Sequence, residues 1–142
     1  MLFICTDNSA RSQMAEALLN SYYGDRYSAF SAGTSPRQVD PRAVRVMEEI
    51  GVDISKNRSK SLTEFIGSEF DYVVTVCDQV REACPFFPAK KVIHKGFEDP
   101  ARLKGSEDEV LARFRLIRDQ IKSWIEETFG GARRRVAGEG DG

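Results

Sequence analysis

The sequence predicts an α/β domain built on a parallel sheet, and three observations carry that reading. Short apolar stretches alternate along the chain with segments of helical periodicity. The clearest of them, "DYVVTVC" at 71–77, is β-branched and apolar without alternation, as in a strand covered on both faces. A length of 142 residues, 41% of them hydrophobic and 30% charged, suits one buried core that needs no disulfide or metal staple.

Residues 2–4, "LFI", read as a first, buried strand. From Ser12 the spacing turns helical, placing Ala15, Leu18, Leu19 and Tyr22 on one stripe, with Gly24 as the stop. "YSAFSAG" (27–33) reads as a second strand closed by glycine. A second helix opens with Asp40 as its cap and Pro41 at the first helical position. Val44, Met47 and Ile50 face inward and Gly51 ends it. "DYVVTVC" supplies the third strand and "KKVIH" (90–94) a fourth. A long amphipathic helix then runs from Ser106 to Phe129, with Val110, Phe114, Ile117, Ile121 and Ile125 at spacings of three and four. Ser106 and Glu109 fit a capping box at its start. Residues 1–129 therefore read as one domain, and "GGARRRVAGEGDG" (130–142), which has no periodicity, as a disordered tail.

A formal net charge of −1 argues against a general nucleic-acid binder. The one basic cluster, Arg133-Arg134-Arg135, falls in the Gly-rich tail and reads as solvated. No run of about 18 apolar residues exists to span a membrane. No basic region followed by a long apolar segment suggests secretion. Three cysteines, an odd number, point to a reducing, cytoplasmic setting in which thiols are inert, catalytic or metal-binding. Nothing demands more than a monomer.

Cys5, Ser31 and Cys77 all fall near the ends of expected strands, where open α/β sheets place their sites. Cys5 opens "CTDNSARS", a Cys-x5-Arg-Ser pattern between strand and helix. A loop of Cys5, Thr6, Asp7, Asn8, Ser9, Ala10 and Arg11 wrapped at a helix N-terminus can aim several amides at one anion. The helix dipole favours negative charge there. That field also favours a cysteine thiolate, Arg11 offers a planar fork to two oxygens, and Ser12 can hydrogen-bond the sulfur. The bland alternative is a buried cysteine beside a surface arginine.

"CTDNSARSQMAE" resembles the phosphate-binding loop of the low-molecular-weight tyrosine phosphatase superfamily, and "RSQMAE" looks more like its thioredoxin-coupled arsenate reductase branch. The resemblance continues through "SAG" (31–33), "DPRAV" (40–44), "GVDIS" (51–55), "VVTVC" (73–77) and "GFEDPA" (96–101), covering residues 1–129. It implies a four-stranded parallel sheet in order 2-1-3-4 flanked by helices on both faces, and a catalytic domain that needs no cofactor or metal. Asp99, in "FEDPA", would be the general acid for the leaving group, with Glu98 a weaker candidate. The bland role of Asp99 is a turn before Pro100.

Reduction of arsenate takes two electrons, so two thiols must end as a disulfide, and a third can move that disulfide to where a reductant reaches it. The implied relay runs from Cys5 to Cys77 to Cys84, with arsenate as substrate, phosphate or sulfate as competing anions, and thioredoxin or a similar dithiol as reductant. Cys77 and Cys84 stand seven positions apart in "CDQVREAC", about 10 Å along a helix and too far for a disulfide. A helix between them would have to unwind when they bond. Ala10 stands where many members carry another cysteine. Some members hold potassium with Asn, Glu, Ser and Asp; Asn8, Glu16 and Ser31 match, but Lys60 stands in place of the Asp, so no potassium requirement is expected. His94, the single histidine, is not needed as a base.

Two rivals remain at this level. A tyrosine phosphatase would share Cys5, Arg11 and Asp99 without needing the other thiols, but Tyr22, Tyr23, Tyr27 and Tyr72 all fall on expected elements and leave no pair to grip an aryl ring. A metal module of Cys77, Cys84 and His94 fits poorly, because structural zinc sites use tight cysteine pairs.

Overall fold

The computed structural model describes residues 1–78 and 86–130. Strand β1 (Leu2–Cys5) is followed by helix α1 (Arg11–Tyr23), β2 (Phe30–Gly33) and α2 (Pro41–Glu48). A 3-10 turn at Leu62–Phe65 precedes β3 (Tyr72–Thr75) and β4 (Lys91–His94), and a second at Pro100–Arg102 precedes α3 (Glu107–Phe129). The strands form one sheet in order β2-β1-β3-β4, every neighbouring pair parallel. The expected four-stranded parallel sheet and its order are present, with helices α1, α2 and α3 packed on one face, and the order reverses between β1 and β3, the switch point at which such sheets bind ligands.

Side chains alternate across a strand, so β1 faces two cores at once. Phe3 and Cys5, with Val74 and Val76, join the main core beneath Met14 and Leu18 of α1, Met47 of α2 and Phe114 of α3. Leu2 and Ile4, with Ala32 and Val73, meet Leu62, Phe65, Phe70 and Phe87, so a 3-10 turn covers that second face. Burial of each such large side chain contributes about 1.5–3 kcal/mol.

The capping devices form as read. Asp40 accepts from the amide of Arg42 with Pro41 at the first position, and Ser106 and Glu109 make a reciprocal capping box. Most of the expected stripe is buried, with Ala15, Leu18 and Leu19 in α1, Met47 in α2 and all five residues named in α3 turned inward, and the departures are single residues. In α1 it is Tyr23, 8% exposed, that turns inward, while Tyr22 is 39% exposed, because the stripe steps on by four from Leu19. In α2 the buried residues are Ala43, Val46 and Met47, with Val44 and Ile50 only partly covered. Ala43 is too small to mark an apolar stripe in sequence, yet it lets the helix approach closely.

Three strand boundaries also differ. Residues 27–29 precede β2: Tyr27 donates its amide to the Tyr23 carbonyl and its ring meets Phe129. Ser31 therefore lies inside β2 and not at its end. Asp71, Val76 and Cys77 flank β3. Cys84, the expected helix before it and the Arg133–Arg135 cluster of the tail lie outside the described residues. Among the described residues no helix is long and apolar enough to cross a membrane.

Candidate active site

Cys5 ends β1, fully buried at the sheet edge where the chain turns into α1. The start of α1 carries neither a side-chain cap nor an acidic residue in its first turn. Its positive end therefore faces the loop without a built-in anion to neutralise it.

The loop is turned inside out by its neighbours. The carbonyls of Thr6, Asp7 and Ser9 accept at 2.9 Å from the amides of Ser35, Arg37 and Asp40, and the Asn8 carbonyl accepts from Ser59 Oγ at 2.6 Å. In a trans peptide the carbonyl and the following N–H point opposite ways. Tying four carbonyls outward turns the amides of Asp7, Asn8, Ser9 and Ala10 toward the side where Cys5 lies. One of them, Asn8 N–H, donates to the Cys5 sulfur at 3.2 Å. This is an anion nest.

Asn8 adopts a left-handed backbone (φ 52°), a conformation asparagine tolerates better than most residues. Its Oδ1 accepts from the Lys60 amide at 2.8 Å and from Gln13 Nε2 at 3.0 Å, and its Nδ2 donates to Ser12 Oγ at 2.8 Å. Ser12 Oγ in turn lies 2.9 Å from the Cys5 sulfur. Gln13 is held by the Arg58 carbonyl and Asn57 Nδ2. Segment 57–60 thus braces the loop through contacts the sequence alone did not reveal.

Arg11, 2% exposed, points NH1 at the Phe97 carbonyl (3.2 Å) and NH2 at Asp99 Oδ2 (3.6 Å). Asp99 forms the turn read for it, Oδ1 capping the 3-10 turn by accepting from the Ala101 amide, while Oδ2 faces Arg11 and Arg102. Glu98 turns outward to Arg113 on α3, which removes it from the site. Cys77 is buried in the same core cluster as Cys5. Cys77 is disulfide-bonded whereas Cys5 is a free thiol. His94 pairs its Nδ1 with Thr75 Oγ1, joining β4 to the end of β3. Ser31 donates to Glu16 Oε1, which lies 3.8 Å from Lys60 Nζ.

Cys5 and Ser12 therefore meet within the loop, and Arg11, at the end of the same loop, turns its guanidinium to the Asp99 carboxyl. Such a constellation can hold a tetrahedral oxyanion and attack its centre.

The chain matches the model of the family described as low molecular weight phosphotyrosine protein phosphatase over residues 1–135. It is 43% identical over 125 residues to an arsenate reductase of Halalkalibacterium halodurans, covering 87% of this chain and 90% of that protein. A solved arsenate reductase in its reduced state superposes with a TM-score of 0.73 at 29% identity, covering 92% of this chain and 96% of the other. The Corynebacterium glutamicum thioredoxin-dependent arsenate reductase gives a TM-score of 0.63 at 31% identity, over 89% of this chain and 59% of that one.

Proposed function

The chain belongs to the low molecular weight phosphotyrosine protein phosphatase family, and from that premise we propose that it is an arsenate reductase working through three thiols. The observation that carries the reading is the pairing of a free Cys5, faced by the Asn8 amide and the Ser12 hydroxyl, with a disulfide-bonded Cys77 in the same core. A phosphatase needs one nucleophilic sulfur; a reductase needs further thiols to accept its oxidising equivalents.

Cys5 thiolate attacks arsenic while Arg11 and the loop amides hold the oxygens. Asp99 gives its proton to the departing hydroxide, which leaves as water. Cys77 then attacks the Cys5 sulfur, the S–As electron pair passes to arsenic, and arsenite leaves behind a Cys5–Cys77 disulfide. Cys84 attacks Cys77, which frees Cys5 and makes Cys77–Cys84. Two electrons from thioredoxin or a similar dithiol restore both thiols. A free Cys5 beside an oxidised Cys77 is the state this sequence passes through before that last step. The protein works as a monomer in a reducing cytoplasm, with phosphate and sulfate competing for the nest. Weak phosphatase activity is expected, because the first step needs only Cys5, Arg11 and Asp99.

The test is arsenite release with a thioredoxin system, for wild type and Cys84→Ser. Steady turnover in wild type, and one turnover with a trapped Cys5–Cys77 disulfide in the variant, is expected. No arsenite, with equal hydrolysis of an aryl phosphate by both, would make the protein a phosphatase.

A further inference from the structure

We propose that Arg102 is a positioning residue for Asp99, holding the acid in place when a bound oxyanion draws Arg11 away. The assignment rests on the reading of Asp99 as proton donor.

Two guanidiniums share one carboxylate oxygen. Arg11 NH2 lies 3.6 Å and Arg102 Nε 3.7 Å from Asp99 Oδ2, and Oδ1 is taken by the Ala101 amide at 3.0 Å. An oxyanion in the nest competes for Arg11, whose fork suits two oxygens of a tetrahedral anion. Asp99 then loses a partner at the moment its direction matters. Arg102 is outside the nest and 60% exposed, so it remains on Oδ2. Arg42, another cation whose charge reaches Asp99, cannot replace it. That guanidinium is committed to Asp40 through two hydrogen bonds and lies over the Phe114 ring.

The geometry needs only the Arg102 side chain. The turn itself is made by backbone bonds, Arg102 N–H to the Asp99 carbonyl and Leu103 N–H to the Pro100 carbonyl. Replacing an exposed side chain there leaves those bonds intact.

The experiment is single-turnover arsenite formation by the fully reduced protein, followed against arsenate concentration. It compares wild type, Arg102→Ala, Arg102→Lys, Asp99→Asn and the Asp99→Asn/Arg102→Ala pair. Arg102→Ala is expected to lower the maximal rate about tenfold, as a misdirected acid would. The half-saturating arsenate concentration stays unchanged. Arg102→Lys recovers most of the rate, and Arg102→Ala costs nothing further once Asp99 is Asn. An unchanged maximal rate overturns the assignment. So does a loss expressed as weaker arsenate saturation, which would make Arg102 an anion ligand, or a loss that persists without the Asp99 carboxyl. Absence of arsenite in wild type would instead strike the reductase reading. The same comparison is then read on an aryl phosphate, whose leaving phenol Asp99 would protonate.

Discussion

Asn8 Nδ2 donates to Ser12 Oγ at 2.8 Å, and that bond holds the hydroxyl beside Cys5. The Asn8 amide cannot be turned round, because its Oδ1 accepts from a backbone N–H, that of Lys60. Ser12 Oγ is therefore an acceptor toward Asn8, which leaves its own hydrogen available for the 2.9 Å contact to sulfur. With Asn8 N–H at 3.2 Å, one backbone donor and one hydroxyl lie within hydrogen-bond reach of the Cys5 sulfur.

Ser12→Ala should consequently slow the chemical step. A hydrogen bond to a charged group contributes about 1.5–3 kcal/mol, so single-turnover arsenite formation should fall at least about tenfold. Asn8→Asp should do worse, since a carboxylate would recruit the Ser12 hydrogen and add negative charge beside the sulfur. Rates equal to wild type in both variants would remove Ser12 from the mechanism.

Gly33 pairs with Cys5 across β2 and β1 where backbones crowd. A Cβ at Gly33 would stand 2.5 Å from the Thr6 carbonyl oxygen and 3.0 Å from the Asn8 amide nitrogen, both main-chain atoms of the nest. Gly33→Ala should therefore cost about 1–3 kcal/mol by overpacking and also reduce arsenate turnover, because the strain falls on the loop itself. Thermal unfolding and turnover of the same sample decide it: a variant stable and active as wild type would mean that the strands simply part.

Much of this site is visible in the sequence because its chemistry sits in distinctive side chains at short spacing. Cys5, Arg11 and Ser12 follow one another between a strand and a helix, and Asp99 precedes a proline. The bracing is not visible, for a physical reason. Ser35, Arg37, Asp40 and Lys60 act on the loop through backbone amides, and a backbone donor has no residue type. Gln13, Asn57 and Ser59 act through side chains, but across 44 to 51 positions of chain in the latter two cases. In α2 Met47 is buried as expected, and Ala43 takes the inward place expected for Val44 for a related reason. Ala43 packs by being small, and Val44 is the more conspicuous apolar residue. Arg102 carried a usable signal, three positions after Asp99 on one turn.

Glu49 ties α2 to α3, accepting three hydrogen bonds from Arg115 and one from Arg118, whose NH1 also donates to the Val46 carbonyl. The Arg115 hydrogen bonds hold the Glu49 carboxyl below its usual 4.5. A folded-state value below the unfolded one gives stability that is present above the unfolded value and lost as pH falls through the folded one. Glu49→Gln should therefore lower Tm at neutral pH, and the gap to wild type should narrow as pH falls below the ordinary 4.5. Because the pair is largely solvated, the effect is small. A gap independent of pH would assign the loss to packing and not to charge.

Lys60 supplies the last prediction. Its Nζ lies 3.8 Å from Glu16 Oε1 and 3.2 Å from the Arg58 carbonyl, and Ser31 Oγ donates to the same Glu16 oxygen. Both charged side chains are mostly buried, at 16% and 18% exposure. An ammonium thus already sits among the oxygens that could otherwise gather round a monovalent cation, and its backbone amide anchors Asn8. Turnover should be the same in potassium and sodium salts at equal ionic strength. Lys60→Met keeps the amide but deletes the charge, leaving Glu16 short of a counter-ion beside the nest. That variant should lose activity and regain part of it selectively on addition of potassium. Potassium stimulation of the wild type would show that Lys60 does not substitute for a cation, and a salt-indifferent Lys60→Met of full activity would show that Glu16 needs none.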